Sequence, residues 1–277
     1  MGEIFVNGTS IYYEDSGGAG PPILFSHGLL WDSTMFAPQI AILKEWYRCV
    51  SYDHRGQGRS ADGTGYAIDM DILTLDAAAL IETLALGPVH FCGLSMGGFV
   101  GMRLAIRRPG LIRSLVLLET SADPEPFLSK LKYSAINVVA RCFGLGVVAS
   151  SVMSVLFGRT VLCDPSRSKE LLAWRQHLMS NRRSIWRAVN GVMVREGVYD
   201  QLDCVTAPTL VVVGEEDVAI APANAVRIAA AIKGSRLVRI PSAGHSASLE
   251  QPEAVTTAIY EFIDGVEHQR METAAES

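Results

Sequence analysis

Ser95 stands in the run Gly93-Leu94-Ser95-Met96-Gly97, directly after an apolar stretch at 89–92 and at the start of a helical pattern over 96–107 that Pro109 stops. Glycines two places before and two places after a serine mark a turn too tight for a Cβ, because neighbouring backbone would occupy its space. Such a turn holds the hydroxyl clear of a sheet at a helix N-terminus. There, free N–H groups and the helix dipole favour developing negative charge. This spacing in this context suits a nucleophile for acyl transfer.

A serine hydroxyl is a weak nucleophile near neutral pH; it needs a base, and the base needs an orienting acid. The six histidines are His27, His54, His90, His177, His245 and His268. His90 falls in an expected strand, His177 in an expected helix and His268 near the end of the chain. His245 instead follows an expected strand at 237–240, in the small-residue loop Pro241-Ser242-Ala243-Gly244-His245. That loop can offer its ring to Ser95. The acid should close the preceding strand, and Gly214-Glu215-Glu216-Asp217 does so. Asp217 is the expected acid and Glu119, at the end of another strand, its rival; Asp217 could alternatively cap a helix over 223–232.

Acyl transfer also needs two N–H donors aimed at the oxyanion. The Met96 N–H comes with the turn itself. A second is expected in His27-Gly28-Leu29-Leu30-Trp31, with Gly28 permitting an unusual backbone and the Leu29 N–H donating. His27 is expected to hold that loop in shape.

Elements that position these residues can be read from pattern. Asn7-Gly8 between short apolar runs is a hairpin turn, preferred over its formal reading as a glycosylation sequon. Strands are expected at 23–26, 47–52, 89–92, 114–118, 209–213 and 237–240. Helices are expected at 38–45, 69–86, 96–107, 223–232 and 252–263. Strands alternating with helices imply a largely parallel sheet covered on both faces. In such a sheet the strand C-termini share one edge, so Ser95, Asp217 and His245 can converge despite their separation. Residues 1–120 and 206–265 would form this α/β core, 121–205 a helical cap without strands, and the polar residues 266–277 a flexible tail. The apolar stretch 135–158 is broken by Asn137, Arg141, Gly144 and Gly146, which makes it a buried helical hairpin rather than a membrane span.

Composition excludes other classes. With 49% hydrophobic and 19% charged residues the chain has core enough for one or two domains, and disorder is excluded. A net charge of −5 without basic runs argues against nucleic acid as a partner. Arg108–Arg113 and Arg182-Arg183 are expected to be solvated helix faces. Five cysteines without C-x-x-C spacing, and an N-terminus lacking a basic or apolar leader pattern, point to the cytoplasm. No zinc motif, P-loop or clustered Cys/His set occurs, and Gly56-Gln57-Gly58 lacks the third glycine of a dinucleotide fingerprint. No metal or cofactor is expected, and the state is expected to be a monomer or small homo-oligomer.

Phe25-Ser26-His27-Gly28, Tyr52-Asp53-His54-Arg55-Gly56-Gln57-Gly58-Arg59-Ser60, Cys92-Gly93-Leu94-Ser95-Met96-Gly97-Gly98, Gly214-Glu215-Glu216-Asp217 and Gly244-His245 together resemble an α/β-hydrolase over nearly the full length. Within that superfamily the chain is most similar to the group of 3-oxoadipate enol-lactonases, small carboxylesterases and metal-free haloperoxidases. The resemblance implies an α/β-hydrolase fold with an inserted helical cap. It also implies a Ser95–Asp217–His245 triad with Leu29 and Met96 at the oxyanion. Relatives that cleave haloalkanes or epoxides carry aspartate where Ser95 stands. Carbon–carbon bond hydrolases usually carry H-G-x-G-P-G and an Asn before the serine, where this chain has Leu29-Leu30-Trp31 and Leu94. A triad-bearing ligand receptor with slow turnover is the non-enzymatic alternative.

The expected substrates are small to medium, largely apolar carboxylic esters or lactones. Apolar residues of the cap, Phe143 and Phe157 among them, would join Leu30 and Trp31 in the pocket. An anionic enol-lactone would call for an arginine, and Arg141 is the one charge between Ala135 and Gly158. The balance favours a general esterase or lactonase.

Overall fold

The computed structural model describes residues 1–62 and 67–276. Its strands are β1 (Gly2–Val6), β2 (Thr9–Asp15), β3 (Pro22–Ser26), β4 (Arg48–Tyr52), β5 (Val89–Leu94), β6 (Ile112–Leu118), β7 (Thr209–Gly214) and β8 (Arg236–Ile240). They form one sheet in the order β1-β2-β4-β3-β5-β6-β7-β8. The β1–β2 and β2–β4 pairs are antiparallel and the rest parallel. Asn7 and Gly8 both adopt positive φ, 45° and 73°, and join Val6 to its partner Thr9, as a two-residue hairpin turn requires. The Asn7 side-chain amide donates to Asp76.

The helices are α1 (Ala37–Leu43), α2 (Met70–Thr83), α3 (Met96–Arg107), α4 (Phe127–Phe143), α5 (Leu145–Leu156), α6 (Arg159–Leu162), α7 (Ser168–Met179), α8 (Trp186–Val194), α9 (Ala223–Ala231), α10 (Ala247–Glu250) and α11 (Pro252–Glu276). Strand alternation separates two cores. Phe91, Leu115 and Leu117 face one way, onto Leu73 and Leu80 of α2, Phe99 of α3 and Ile228 of α9. Cys92, Val116 and Leu118 face the other way, onto Leu43 of α1 and Val255, Ile259 and Ile263 of α11. Every residue of β5 and β7 is buried, as expected where helices cover both faces of a parallel sheet. Asp69 starts α2 by accepting the Ile72 N–H at 2.7 Å.

The chain builds outward from β3 to β4, then returns to lay β5 on the other side of β3. Loops after β3 and β5 therefore leave adjacent strand ends in opposite directions. The crevice between them is where ligands bind in sheets of this kind.

Two expectations need correction. The end expected to be a flexible tail is the continuation of α11, which is helical as far as Glu276. Val266 is buried there, and Glu267 pairs with Arg113 at 3.1 Å, so an apolar contact and an ion pair hold a segment whose composition looks solvated. The stretch 135–158 is a helical hairpin turning at Gly144, φ 90°, but it is buried only in part: Val148, Ala149, Met153 and Leu156 are covered. Val138, Phe143 and Val147 are all exposed. Among the described residues no helix is long and apolar enough to cross a membrane.

Candidate active site

Ser95 occupies the turn between β5 and α3 with φ 53° and ψ −109°, a backbone that L-residues adopt only under constraint. The constraints are visible. Its N–H donates to the Leu118 carbonyl at 2.8 Å, and its own carbonyl accepts from Thr120 Oγ1 at 2.9 Å. A Cβ at Gly93 would overlap the Gly97 carbonyl, and one at Gly97 would overlap the Ser26 carbonyl. Both glycines are therefore needed for close approach.

His245 arrives on the loop between β8 and α10. Its Nε2 lies 2.8 Å from Ser95 Oγ and its Nδ1 2.8 Å from Asp217 Oδ2. A carboxylate only accepts, so Nδ1 carries the proton and Nε2 is left to accept from the serine hydroxyl. Asp217 sits just past β7, where its Oδ1 accepts the Ala219 and Ile220 N–H groups at 2.8 and 2.9 Å. One oxygen anchors the loop and the other holds the imidazole. All three side chains are buried, Ser95 being 7% exposed.

Glu119, the rival acid, closes β6 with φ 48° and is fully buried. Its oxygens accept the Gly214 N–H at 2.8 and 3.1 Å, and it has no hydrogen bond to His245. Burial, reinforced by the adjacent Asp217 charge, pushes its carboxyl well above the usual carboxylate range. Through Gly214 it braces the β6–β7 edge.

On the other side of Ser95, among the described residues, neither the Leu29 nor the Met96 backbone N–H meets an acceptor. Their neighbours are occupied: the Leu30 N–H donates to Gln57 Oε1 at 2.9 Å and the Trp31 N–H to the Gly28 carbonyl. The unusual backbone of this loop does not fall on the glycine. Positive φ belongs to Leu30, at 71°, and not to Gly28. At Gly28 a Cβ would stand 3.1 Å from Leu94 Cδ2 and 3.7 Å from the Ser95 Cβ, so the glycine lets the loop lie close against the serine turn. His27 is buried, touching the Gly28 carbonyl through Nδ1 and accepting the His54 N–H at 2.9 Å. Burial lowers its pKa and keeps it neutral, so it ties the two loops together.

A cavity of about 140 Å³ opens beside Ser95 and His245. Leu29, Leu30 and Trp31 form one wall, as expected, and Ile136, Val148 and Val152 of the cap another. Neither Phe143 nor Phe157 lines it, which corrects the pocket expectation. Phe143 is seven residues after Ile136 and on the same side of α4, but the helix ends there and the side chain is 74% exposed. Phe157 lies one layer back, stacked on Trp174 at 4.8 Å and edge-on to Trp31 at 6.3 Å.

Sequence reasoning missed three contributors. Gln57, besides its bond to Leu30, reaches Met96 Sδ at 3.6 Å and so braces both candidate donors. Glu250 is buried and accepts the N–H groups of Gly158, Gly244 and Ser246 at 2.7, 3.0 and 3.2 Å. This ties the cap to the His245 loop, while burial raises its pKa. Glu125 lines the cavity, with Arg195 behind it at 2.7 Å. Nothing in spacing marks these positions; only the proximity of Glu250 to His245 along the chain hints at a role. Among the described residues no group of three His, Cys, Asp or Glu side chains could hold a metal ion.

A sequence profile of the alpha/beta hydrolase family matches residues 23–258. The chain is an alpha/beta hydrolase. Among solved structures, this hydrolase is similar to a thermophilic esterase from Thermogutta terrifontis, with 30% identity, 96% of this chain and 99% of that one covered, and a TM-score of 0.89. It is similar also to the enol-lactonase from Burkholderia xenovorans LB400, at 28% identity, 95% and 100% coverage, and a TM-score of 0.88. A curated relative, 3-oxoadipate enol-lactonase 2 of Acinetobacter baylyi, is 28% identical over 240 residues, covering 86% of this hydrolase and 87% of the relative. Proteins named as an esterase and as enol-lactonases thus match most of the length of this hydrolase.

Proposed function

We propose that this hydrolase cleaves carboxylic esters or lactones with a largely apolar acyl part, through an acyl-enzyme on Ser95. The observation that carries this reading is the unbroken chain from Ser95 Oγ through His245 to Asp217, with both links at 2.8 Å, opening on an apolar cavity. In the reaction Ser95 Oγ attacks the carbonyl carbon while His245 Nε2 takes its proton, and Asp217 stabilises the resulting imidazolium. The carbonyl oxygen, now negative, accepts from the Leu29 and Met96 N–H groups, which need not reorganise to receive it. Collapse breaks the bond to the alcohol oxygen, which leaves with the proton held by His245. Water then repeats the sequence on the acyl-enzyme and releases the acid.

Specificity follows from the walls. The volume beside Ser95 is of the order of a benzene ring, enough for a short or medium acyl group. Glu125 lines this space but is paired with Arg195 at 2.7 Å, so among the described residues the walls offer no unpaired cation to a carboxylate. This supports neutral acyl groups over a compact anionic lactone.

The test is a series of p-nitrophenyl esters and lactones of increasing length, run on wild type and Ser95→Ala. We expect kcat/KM to rise about fourfold per methylene over the first few carbons, since each buried methylene contributes about 0.8 kcal/mol. A fluorophosphonate should label Ser95. Full activity of Ser95→Ala, or a flat length profile with fast turnover of a dienoic diketone, would overturn the reading.

A further inference from the structure

Arg141 and the Arg182-Arg183 pair, far apart in the sequence, converge on one crevice. A crevice of about 160 Å³ is lined by Arg141 of α4, by Arg182 and Arg183 of the turn before α8, and by Asn137, Asn181 and Trp186. Arg182 is committed: it pairs with Asp62 at 3.1 Å and donates to the Ser60 carbonyl at 2.5 Å. Arg141 lies over the Trp186 ring, its guanidinium carbon 4.3 Å from the centroid. That contact holds the side chain in place without neutralising it. Among the described residues neither Arg141 nor Arg183 has an acidic partner. In a chain of net charge −5, two such cations in one recess are not background.

The crevice adjoins the cavity beside Ser95. Asn137, Ala140, Leu145 and Ile185 line both, so these four residues form the wall between them. Asn137 is pinned in that wall by donating to the Trp186 carbonyl at 3.2 Å and to Asn190 Oδ1 at 2.9 Å. The Ser95 side of the wall is apolar and carries Glu125; the far side is basic. Glu125 is balanced by Arg195, so along this path the surroundings of an anion run from apolar to attractive.

We propose that the crevice is a subsite for the terminal oxyanion, carboxylate or phosphate, of an ester whose apolar chain extends past the wall from Ser95. This rests on the ester-cleaving reading and narrows it. The substrate is amphipathic, with its reactive carbonyl at Ser95, its methylenes between the cap helices and its charge on Arg141 and Arg183. Guanidinium forks suit both oxyanions. Length decides the sign of the effect. A short ω-carboxylate stops in the apolar cavity and is penalised by desolvation; a longer one reaches the crevice and gains.

The experiment compares p-nitrophenyl ω-carboxyacyl and ω-phosphonoacyl esters with neutral esters of equal length, in wild type and in R141Q/R183Q. Above a threshold length the anionic ester should show a KM about fivefold below its neutral partner, with kcat little changed, because exposed ion pairs contribute modestly and act on binding. The gain should shrink in high salt and vanish in R141Q/R183Q. A gain for one anion alone names the source. No gain at any length, or one that survives the double substitution, overturns the subsite. Absence of neutral-ester turnover in wild type would instead overturn the functional reading. The subsite is then read by calorimetry with long dicarboxylic acid monoesters on Ser95→Ala: fivefold weaker binding on loss of both arginines supports it, and equal binding overturns it.

Discussion

The central strands and the first cap helix are both rich in apolar residues, yet they spend them in opposite ways. Strands β5 and β7 bury every side chain. Helix α4 buries one of its seventeen residues, and that one is polar, Asn137; Phe127, Leu128, Leu131, Val138 and Phe143 stand exposed. In a parallel sheet covered on both faces, each position has one inward direction and a fixed neighbour. A cap helix has one loosely packed face over a cavity and no second layer outside it. On the proposed function, the sheet fixes where the chemistry occurs and the helices over it fix what can reach it.

The sharpest way to break that division is to remove a group held by the sheet edge. Ser95→Ala and His245→Ala should each lower kcat/KM by about four orders of magnitude or more on the best ester, with melting temperature little changed. If either retained substantial activity, the sheet edge would not be the seat of the chemistry. Next, Asp217→Asn should cost about three to four orders of magnitude, because the amide favours the wrong imidazole tautomer. Glu119→Gln should cost far less, since Glu119 contacts Gly214 and not His245. The reverse ranking of kcat values would make Glu119 the working acid.

The cap half of the comparison calls for smaller effects. Ile136→Ala should widen the cavity, moving the preferred acyl length upward and changing kcat/KM for a short ester by about tenfold. Phe143→Ser, on the same side of the helix but in solvent, should leave the length profile in place. The smallest effect concerns pH. Glu119 stays protonated in the folded chain well above the pH at which it ionises when unfolded. The folded state therefore binds more protons, and this group's contribution to stability falls as pH rises above about 4.5. Glu119→Gln removes that dependence. Its melting temperature relative to wild type should rise between about pH 5 and pH 8, and a constant difference would show that Glu119 is ionised in place.

Legibility followed the same division. Gly93-Leu94-Ser95-Met96-Gly97 reads from sequence because its glycines answer a local backbone demand, and Asp217 and His245 because strand ends share an edge. The parallel core and its helices follow from alternation. Phe143 and Phe157 were misplaced in the pocket because helical phase gives a direction but not what stands opposite, or how far the cavity extends along the axis. The unusual backbone expected at Gly28 is found at Leu30, since a glycine's need for close approach looks the same in sequence. Gln57 and Glu250 act on loops distant along the chain, and no periodic pattern records such a bond. The tail 266–277 looks solvated by composition, yet Val266 and Glu267 have partners on the sheet side.

The hydrogen bond between His245 and Ser95 spans 150 residues, and the one from Gly158 to Glu250 spans 92. During synthesis at about 5–20 residues per second, the serine turn and the cap leave the ribosome several seconds before the imidazole and the carboxylate they require. Ribosome-bound chains ending before His245 should accordingly resist a fluorophosphonate that labels the released protein, and labelling at the full rate would refute this. On the proposed reading, a growing chain carries Ser95 in a dormant form until His245 and Glu250 have emerged to complete the base and fasten the segment above it.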